Sequence, residues 1–147
     1  MLSSTCKYAL RAVIYLASQE ESINGNNKTG IKKISRDLDI PMPFLGKILQ
    51  TLARHKVLSS TKGPNGGFGL GRPAGEIFLI DVVEIIDGTD FFNQCVIGVK
   101  YCSEIENPCS LHSRYAHYRK EIKNLFEKET IEELVKDIKS GKQSIKI

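Results

Sequence analysis

The 147-residue sequence lacks any apolar run long enough to cross a bilayer, because a membrane-spanning helix needs about 20 consecutive apolar residues. Near the N-terminus Arg11 interrupts the apolar stretch, and no small-residue cleavage signal follows it. We therefore expect a cytoplasmic protein with no membrane association.

The sequence also has no internal repeats and no visible pairing of a nucleophile with a base. The glycine-rich stretch "GPNGGFGLG" lacks the Gly-Lys-Ser/Thr ending of a phosphate-binding loop. We therefore expect no enzymatic activity.

The net charge of +4 is unevenly distributed along the chain. From Lys28 to Lys62, eight Lys or Arg residues face two Asp residues, whereas from Glu76 to Glu106 seven acidic residues face one Lys. Only the first segment suits a polyanion, and it does so only if the fold presents these cations on one surface.

The basic segment has the pattern of two short helices joined by a turn. Apolar residues recur at the helical period in "IKKISRDLDI" and "FLGKILQTLARH", and Pro41 and Pro43 separate the two runs. A longer helix, capped by Ser4 or Thr5, precedes them. The second short helix hides its leucine face, so Gly46, Lys47, Gln50 and Arg54 lie on the face that can enter a major groove.

Period-two alternation follows in "VLSSTKG" and "GFGLGR", which predicts a β-hairpin with glycines at its tip. Together with the helices, this hairpin forms a winged helix-turn-helix pattern, with Lys62 in a position to meet phosphates.

The C-terminal half continues as helix, loop and helix. "LIDVVEIIDG" predicts a helix that stops at Gly88, and a long helix follows from Ser110 to about Glu129, with a last short helix capped by Thr130. The long helix carries a heptad seam, which favours a homodimer. The seam consists of Leu111, Tyr115, Tyr118, Ile122 and Leu125.

The predicted fold class is therefore mainly α with a small β-hairpin wing, a winged helix-turn-helix domain joined to a long dimerisation helix. Residues 1–88 form the DNA-binding domain, residues 89–112 a ligand-binding loop, residues 110–138 the dimerisation and C-terminal helices, and residues 139–147 a flexible tail.

Three of the four cysteines lie in "QCVIGVKYCSEIENPCSLH". Six residues separate Cys95 from Cys102 and Cys102 from Cys109, and His112 follows after two more. Three thiolates and an imidazole can bind zinc or an iron–sulfur cluster. The absence of close cysteine pairs favours a larger inorganic core, while the lone Cys6 is expected to be a small buried hydrophobe.

The stretches "KYALRAVIYLA" and "IPMPFLGKILQTLARHKVLSSTKGPNGGFGL", with the cysteine block, resemble the IscR/NsrR (Rrf2) family of bacterial winged-helix regulators. The resemblance implies homodimers that bind double-stranded DNA at partly palindromic operators. The family's base-reading positions fall on Pro43, Phe44 and Gly46, with Lys47 and Gln50 nearby. The wing pattern falls on Lys62, Gly63, Asn65 and Gly66.

The resemblance also implies an iron–sulfur cluster on Cys95, Cys102, Cys109 and His112. The family has gaps of five residues between cysteines where this chain has six. NsrR-like members complete a 4Fe–4S cluster with an aspartate at the position of Lys7, which cannot ligate, so 2Fe–2S is favoured.

Two alternatives stay open. One is a regulator of the same fold that binds zinc or no metal and senses oxidants through its thiols. The other is an iron–sulfur electron carrier, which would leave the wing and the basic helices without a role.

Overall fold

The computed structural model describes residues 2–20, 28–95, 97 and 109–141. Within these ranges the chain forms six α-helices and a two-stranded antiparallel sheet, and none of the helices is long and apolar enough to cross a membrane. The elements are α1 (Ser4–Glu20), α2 (Ile31–Leu38), α3 (Met42–Arg54), β1 (Leu58–Thr61), β2 (Gly67–Leu70), α4 (Leu79–Ile86), α5 (His112–Lys128) and α6 (Ile131–Lys139).

The first helix is capped by a residue outside the predicted pair. The Ser3 hydroxyl, not that of Ser4 or Thr5, accepts a hydrogen bond from the Cys6 amide at 3.0 Å. Ser3 also donates its hydroxyl and its amide to the Asp87 carboxylate, at 2.5 and 2.8 Å. The cap of α1 is therefore tied to the end of α4, a long-range contact that local sequence cannot predict.

The helix-turn-helix is built from α2 and α3, as the sequence predicted. Pro43 occupies the first turn of α3, where its missing amide costs nothing because that amide has no helical acceptor. A methyl group at Gly46 would lie 3.3 Å from Ile31 Cδ1, so the two helices pack closely at this point. The buried face of α3 consists of Leu45, Ile48, Leu49 and Leu52.

The hairpin pairs Leu58 with Leu70 at its base and Thr61 with Gly67 near its tip. An additional bridge joins Thr29 to Phe68 through two backbone hydrogen bonds of 2.8 and 2.9 Å. The polar, Gly/Asn-rich pattern of residues 22–30 predicts only a loop, and residues 22–27 of it lie outside the described residues. Thr29 therefore fixes the wing to the segment that precedes α2.

The last helix returns to the N-terminal domain. The Ile131 amide donates to the Ile77 carbonyl at 2.9 Å, and the side chains of Ile131 and Val135 are buried in the main core. Thr130 caps α6 as predicted, because its hydroxyl accepts from the Glu133 amide and the Glu133 carboxylate accepts from the Thr130 amide.

A second, smaller core lies where α1, α4 and α5 meet. It contains Cys6, Val83 and Phe92, and the Phe92 ring packs edge-on against Phe126 of α5 with centroids 5.7 Å apart. Cys6 is fully buried there, which confirms its predicted role as a small hydrophobe. The predicted start of α5 at Ser110 was two residues early, because Leu111 occupies the cap position and no side chain caps the helix.

Candidate DNA interface and metal centre

The solvent-facing side of α3 carries the side chains predicted to read DNA. Pro43, Lys47, Gln50 and Arg54 are all exposed, since the opposite face of the helix is buried. Phe44 is 37% exposed, and its ring packs edge-on against Tyr8 of α1 with centroids 5.8 Å apart. The start of α3 therefore offers an aromatic ring packed against α1 beside exposed polar side chains.

The tip of the wing needs its glycines for conformational reasons. Gly63 has a φ of 110°, in the left-handed region that favours glycine, and its carbonyl accepts from the Gly66 amide at 3.0 Å. A methyl group at Gly66 would collide with the Thr61 carbonyl oxygen. This tight turn leaves Lys62 and Asn65 exposed at the end of the hairpin.

A groove of about 810 Å³ separates α3 from the wing. Gln50 and Arg54 line it from the helix, and Lys62 lines it from the hairpin. None of the described residues lining this groove is acidic. The predicted helix residues and the predicted wing residue therefore share one positively charged surface, as a polyanion interface requires.

The thiols of Cys95 and Cys109 lie together, with their sulfur atoms 3.6 Å apart. Two thiolate ligands of one tetrahedral metal ion, each bonded at about 2.3 Å, have sulfur atoms roughly 3.8 Å apart. The His112 amide donates to the Cys109 carbonyl at 2.9 Å, and the His112 Nδ1 atom is buried without a hydrogen-bond partner among the residues that the structure describes. Two thiols at ligand spacing and an unsatisfied imidazole nitrogen fit a metal centre.

Neighbouring residues hold Cys95 in place. Phe92, three positions earlier, is buried in the smaller core, and the Arg119 guanidinium donates to the Gln94 carbonyl at 3.3 Å. Arg119 also lies over the Tyr115 ring, 5.9 Å from its centroid. Sequence reasoning missed Arg119 because an exposed-face arginine on an amphipathic helix has no pattern that distinguishes it from its neighbours.

The predicted ligand set is only partly visible. Cys102 lies outside the described residues, which end at 97 and resume at 109. Across the described part of the chain, no three His, Cys, Asp or Glu side chains are grouped to hold a metal ion. Burial, and secondarily the charge of Asp87, raises the pKa of Cys6 to about 12, so that thiol is a poor ligand or nucleophile.

The predicted dimer seam lies along an unburied helix. No residue of α5 is fully buried, and Leu111, Tyr118, Ile122 and Leu125 are 36%, 65%, 38% and 52% exposed. Tyr115 is half-buried beside Arg119. Large apolar side chains in one exposed row indicate a protein interface.

The sequence matches the Rrf2 family, described as iron-dependent transcriptional regulators, over residues 2–137. The chain belongs to the Rrf2 family. It is 32% identical over 136 residues to an Aquifex aeolicus protein named as an HTH-type transcriptional regulator, covering 92% of this chain and 91% of that protein. It is 29% identical over 138 residues to the HTH-type transcriptional regulator IscR of Xenorhabdus nematophila, covering 92% and 79%.

The fold is that of solved Rrf2-type structures. One of these, CymR (YrzC), the global cysteine regulator of B. subtilis, superposes with a TM-score of 0.75 at 20% identity, over 92% of this chain and 96% of that chain. The prediction of a mainly helical winged helix-turn-helix protein is confirmed. So is the resemblance at the level of the Rrf2 family, whereas the finer resemblance to NsrR stays a prediction.

Proposed function

We propose that this Rrf2-family protein is a cytoplasmic homodimeric transcriptional regulator that binds a partly palindromic operator. We further propose that an iron–sulfur cluster, 2Fe–2S rather than 4Fe–4S, controls its DNA affinity. The observation that carries the cluster proposal is the convergence of the Cys95 and Cys109 thiols, 3.6 Å apart. His112 is held near Cys109 along the chain by its amide, which donates to the Cys109 carbonyl. The family's description as iron-dependent supports the same conclusion.

Cys95, Cys102, Cys109 and His112 would hold the cluster. When bound, the group supplies thiolate-coordinated iron that nitric oxide, oxygen or iron depletion can alter. The chain's own contribution is positional, because Cys95 follows a segment anchored by Phe92, while Cys109 and His112 lie at the start of α5. A change at the ligands therefore acts on the junction between the DNA-binding domain and the helix proposed to form the dimer.

The change in operator affinity that the cluster can produce depends on how strongly it shifts the balance between two arrangements of the protein. A shift of 1.4 kcal/mol between DNA-competent and incompetent arrangements changes operator affinity by up to about tenfold. The Phe92–Phe126 contact connects the ligand-bearing segment to α5, and Cys6 and Val83 connect it to α1 and α4. A change at the ligands can therefore act through the smaller core to alter the relative positions of the two DNA-binding domains in the proposed dimer.

The experiment is an operator titration with protein purified without oxygen. Iron and sulfide content and the visible spectrum are measured first, and the DNA affinity of the cluster-loaded and cluster-free forms is then compared. We expect a red-brown protein with about two iron and two sulfide per chain and a measurable difference in affinity. Protein that takes up no iron, or equal affinities of both forms for every operator tried, would refute the cluster proposal.

A second candidate function is thiol-based or zinc-based sensing by the same fold. The sulfur separation of 3.6 Å favours it, because two tetrahedral zinc ligands would also satisfy that distance. A zinc protein is colourless, so the spectrum separates the two candidates before any DNA is added. If the protein binds zinc but its operator affinity does not change when an oxidant is added, the second candidate is refuted as well.

A further inference from the structure

Two helices of the DNA-binding domain end in the same hydrogen-bonded motif. At the end of α3 the Val57 amide donates to the Leu52 carbonyl at 3.1 Å, and the Lys56 amide donates to the Ala53 carbonyl at 3.1 Å. At the end of α2 the Ile40 amide donates to the Ser35 carbonyl at 3.0 Å, and the Asp39 amide donates to the Arg36 carbonyl at 3.4 Å. Both ends are Schellman motifs, which place one residue in the left-handed region.

Glycine is the residue that this left-handed position favours, but neither motif has one. Lys56 has a φ of 60° and Asp39 a φ of 53°, and both side chains are exposed. Aspartate tolerates the left-handed region better than most residues because its short side chain can bond locally, whereas lysine has no such relief. Folding alone therefore does not account for a lysine at position 56.

The position of Lys56 provides an explanation. It is one of the residues that line the groove between α3 and the wing, together with Arg54 of the helix and Lys62 of the hairpin. Ser59 and Ser60 also line this groove, and the Lys28 ammonium donates to the Ser59 hydroxyl. Three basic side chains, those of Arg54, Lys56 and Lys62, therefore line the groove, and a fourth, that of Lys28, contacts a residue of its lining.

We infer that the groove between α3 and the wing holds a DNA sugar-phosphate strand, and that Lys56 is a phosphate contact kept in a strained conformation for that purpose. This inference rests on the proposed DNA-binding function and adds a residue that the sequence pattern did not assign. A DNA strand held between α3 and the wing would run between the major groove of the DNA, which α3 would enter, and the minor groove, which the wing would reach. Charge complementarity argues for this occupant, because the described lining contains cations and no acid.

The test is a pair of glycine substitutions that relieve the same strain at two sites. Lys56→Gly should raise the melting temperature by roughly 2–4 °C, and Asp39→Gly should raise it by less, because glycine suits both positions but aspartate tolerates the left-handed region better than lysine. Only Lys56→Gly should weaken operator and non-operator DNA alike, by several-fold near physiological salt, and lower the salt slope of binding by about one. Lys56→Arg should retain the wild-type salt slope.

The outcomes separate this inference from the proposed function. Lys56→Gly with unchanged affinity and salt slope, while Lys62→Ala weakens binding, would overturn the role of Lys56 and leave the DNA-binding function intact. A similar loss of affinity in Asp39→Gly would also overturn it, because the loss would then follow the backbone change and not the lost charge. Failure of wild type to bind any DNA would instead refute the proposed function itself.

Discussion

The sulfur atoms of Cys95 and Cys109 lie 3.6 Å apart although fourteen positions separate the two residues in the chain. On one side the buried side chain of Phe92 anchors the segment that leads to Cys95, and on the other side Cys109 lies at the start of α5. The two thiols meet because α5 packs back onto that segment through Phe126. The site is therefore assembled by tertiary packing, so its ligands are sensitive to movement of α5.

We predict that replacing any one of Cys95, Cys102 and Cys109 by alanine abolishes the visible chromophore of the reconstituted protein. His112→Ala should retain a weaker cluster with an altered spectrum and an altered reduction potential, because a neutral imidazole raises the potential relative to thiolate and the variant loses that ligand. Iron content, sulfide content and absorbance after reconstitution without oxygen measure both effects.

The matched control for these variants is Cys6→Ala. Cys6 is fully buried in the smaller core, away from solvent, and its variant should bind wild-type amounts of iron. Loss of the chromophore in Cys6→Ala, with normal folding by circular dichroism, would contradict the proposed ligand set.

We predict that Ile122→Glu weakens the dimer and, through loss of the second half-site, operator binding. Ile122 is 38% exposed on the row that also carries Tyr118 and Leu125, and burying each such side chain contributes about 1.5–3 kcal/mol before entropy costs. Lys120→Gln makes the same change in charge at an exposed position outside the row and should leave the dimer intact. Light scattering at micromolar concentration measures the effect, and a monomeric wild type would contradict the dimer.

The arrangement of helices and wing was predictable because each element satisfies its own local pattern. The buried spacing of Leu45, Leu49 and Leu52 specifies one face of α3, and the glycines at 63 and 66 specify a tight tip. Thr130 was a correct cap because its partner Glu133 lies only three residues away. Sequence patterns that extend over one or two helical turns were sufficient to predict these features.

Other features depend on contacts distant in sequence and were beyond such reasoning. The cap of α1 falls on Ser3 because Asp87 lies beside it, and the wing gains a third segment because Thr29 pairs with Phe68. The cysteine spacing suggested a site but not which thiols meet. The convergence of Cys95 with Cys109 requires the packing of α5, which no spacing encodes.

We predict different consequences for two residues of the DNA interface. Lys62→Ala should weaken binding to all sequences and reduce the salt slope by about one, because Lys62 is exposed at the wing and would contact phosphate. If Gln50 reads a base, Gln50→Ala should instead remove discrimination worth roughly 1–3 kcal/mol at one operator position. Titrations with operator and scrambled DNA at several salt concentrations distinguish the two. An unchanged salt slope in Lys62→Ala would contradict the wing's role.

We predict that Cys6 makes the protein less stable as the pH rises above about 9. Burial raises the pKa of Cys6 to about 12 in the folded protein, whereas the thiol in the unfolded chain ionises near its ordinary pKa of 9.0. The unfolded state therefore releases a proton that the folded state keeps. This group should lower the free energy of unfolding by about 1 kcal/mol between pH 9 and 10, and its effect should become negligible below about pH 8.

Urea unfolding at fixed protein concentration and several pH values from 8 to 10 measures this slope. The range stops at 10 because the pKa of Tyr15, raised to about 12 by burial and by its hydrogen bond to Asp37, adds a similar effect at higher pH. Cys6→Ala should be less stable overall but should lack this part of the pH dependence, because it removes the ionising group. A Cys6→Ala variant that loses stability between pH 9 and 10 as steeply as wild type would show that the buried thiol is not the cause.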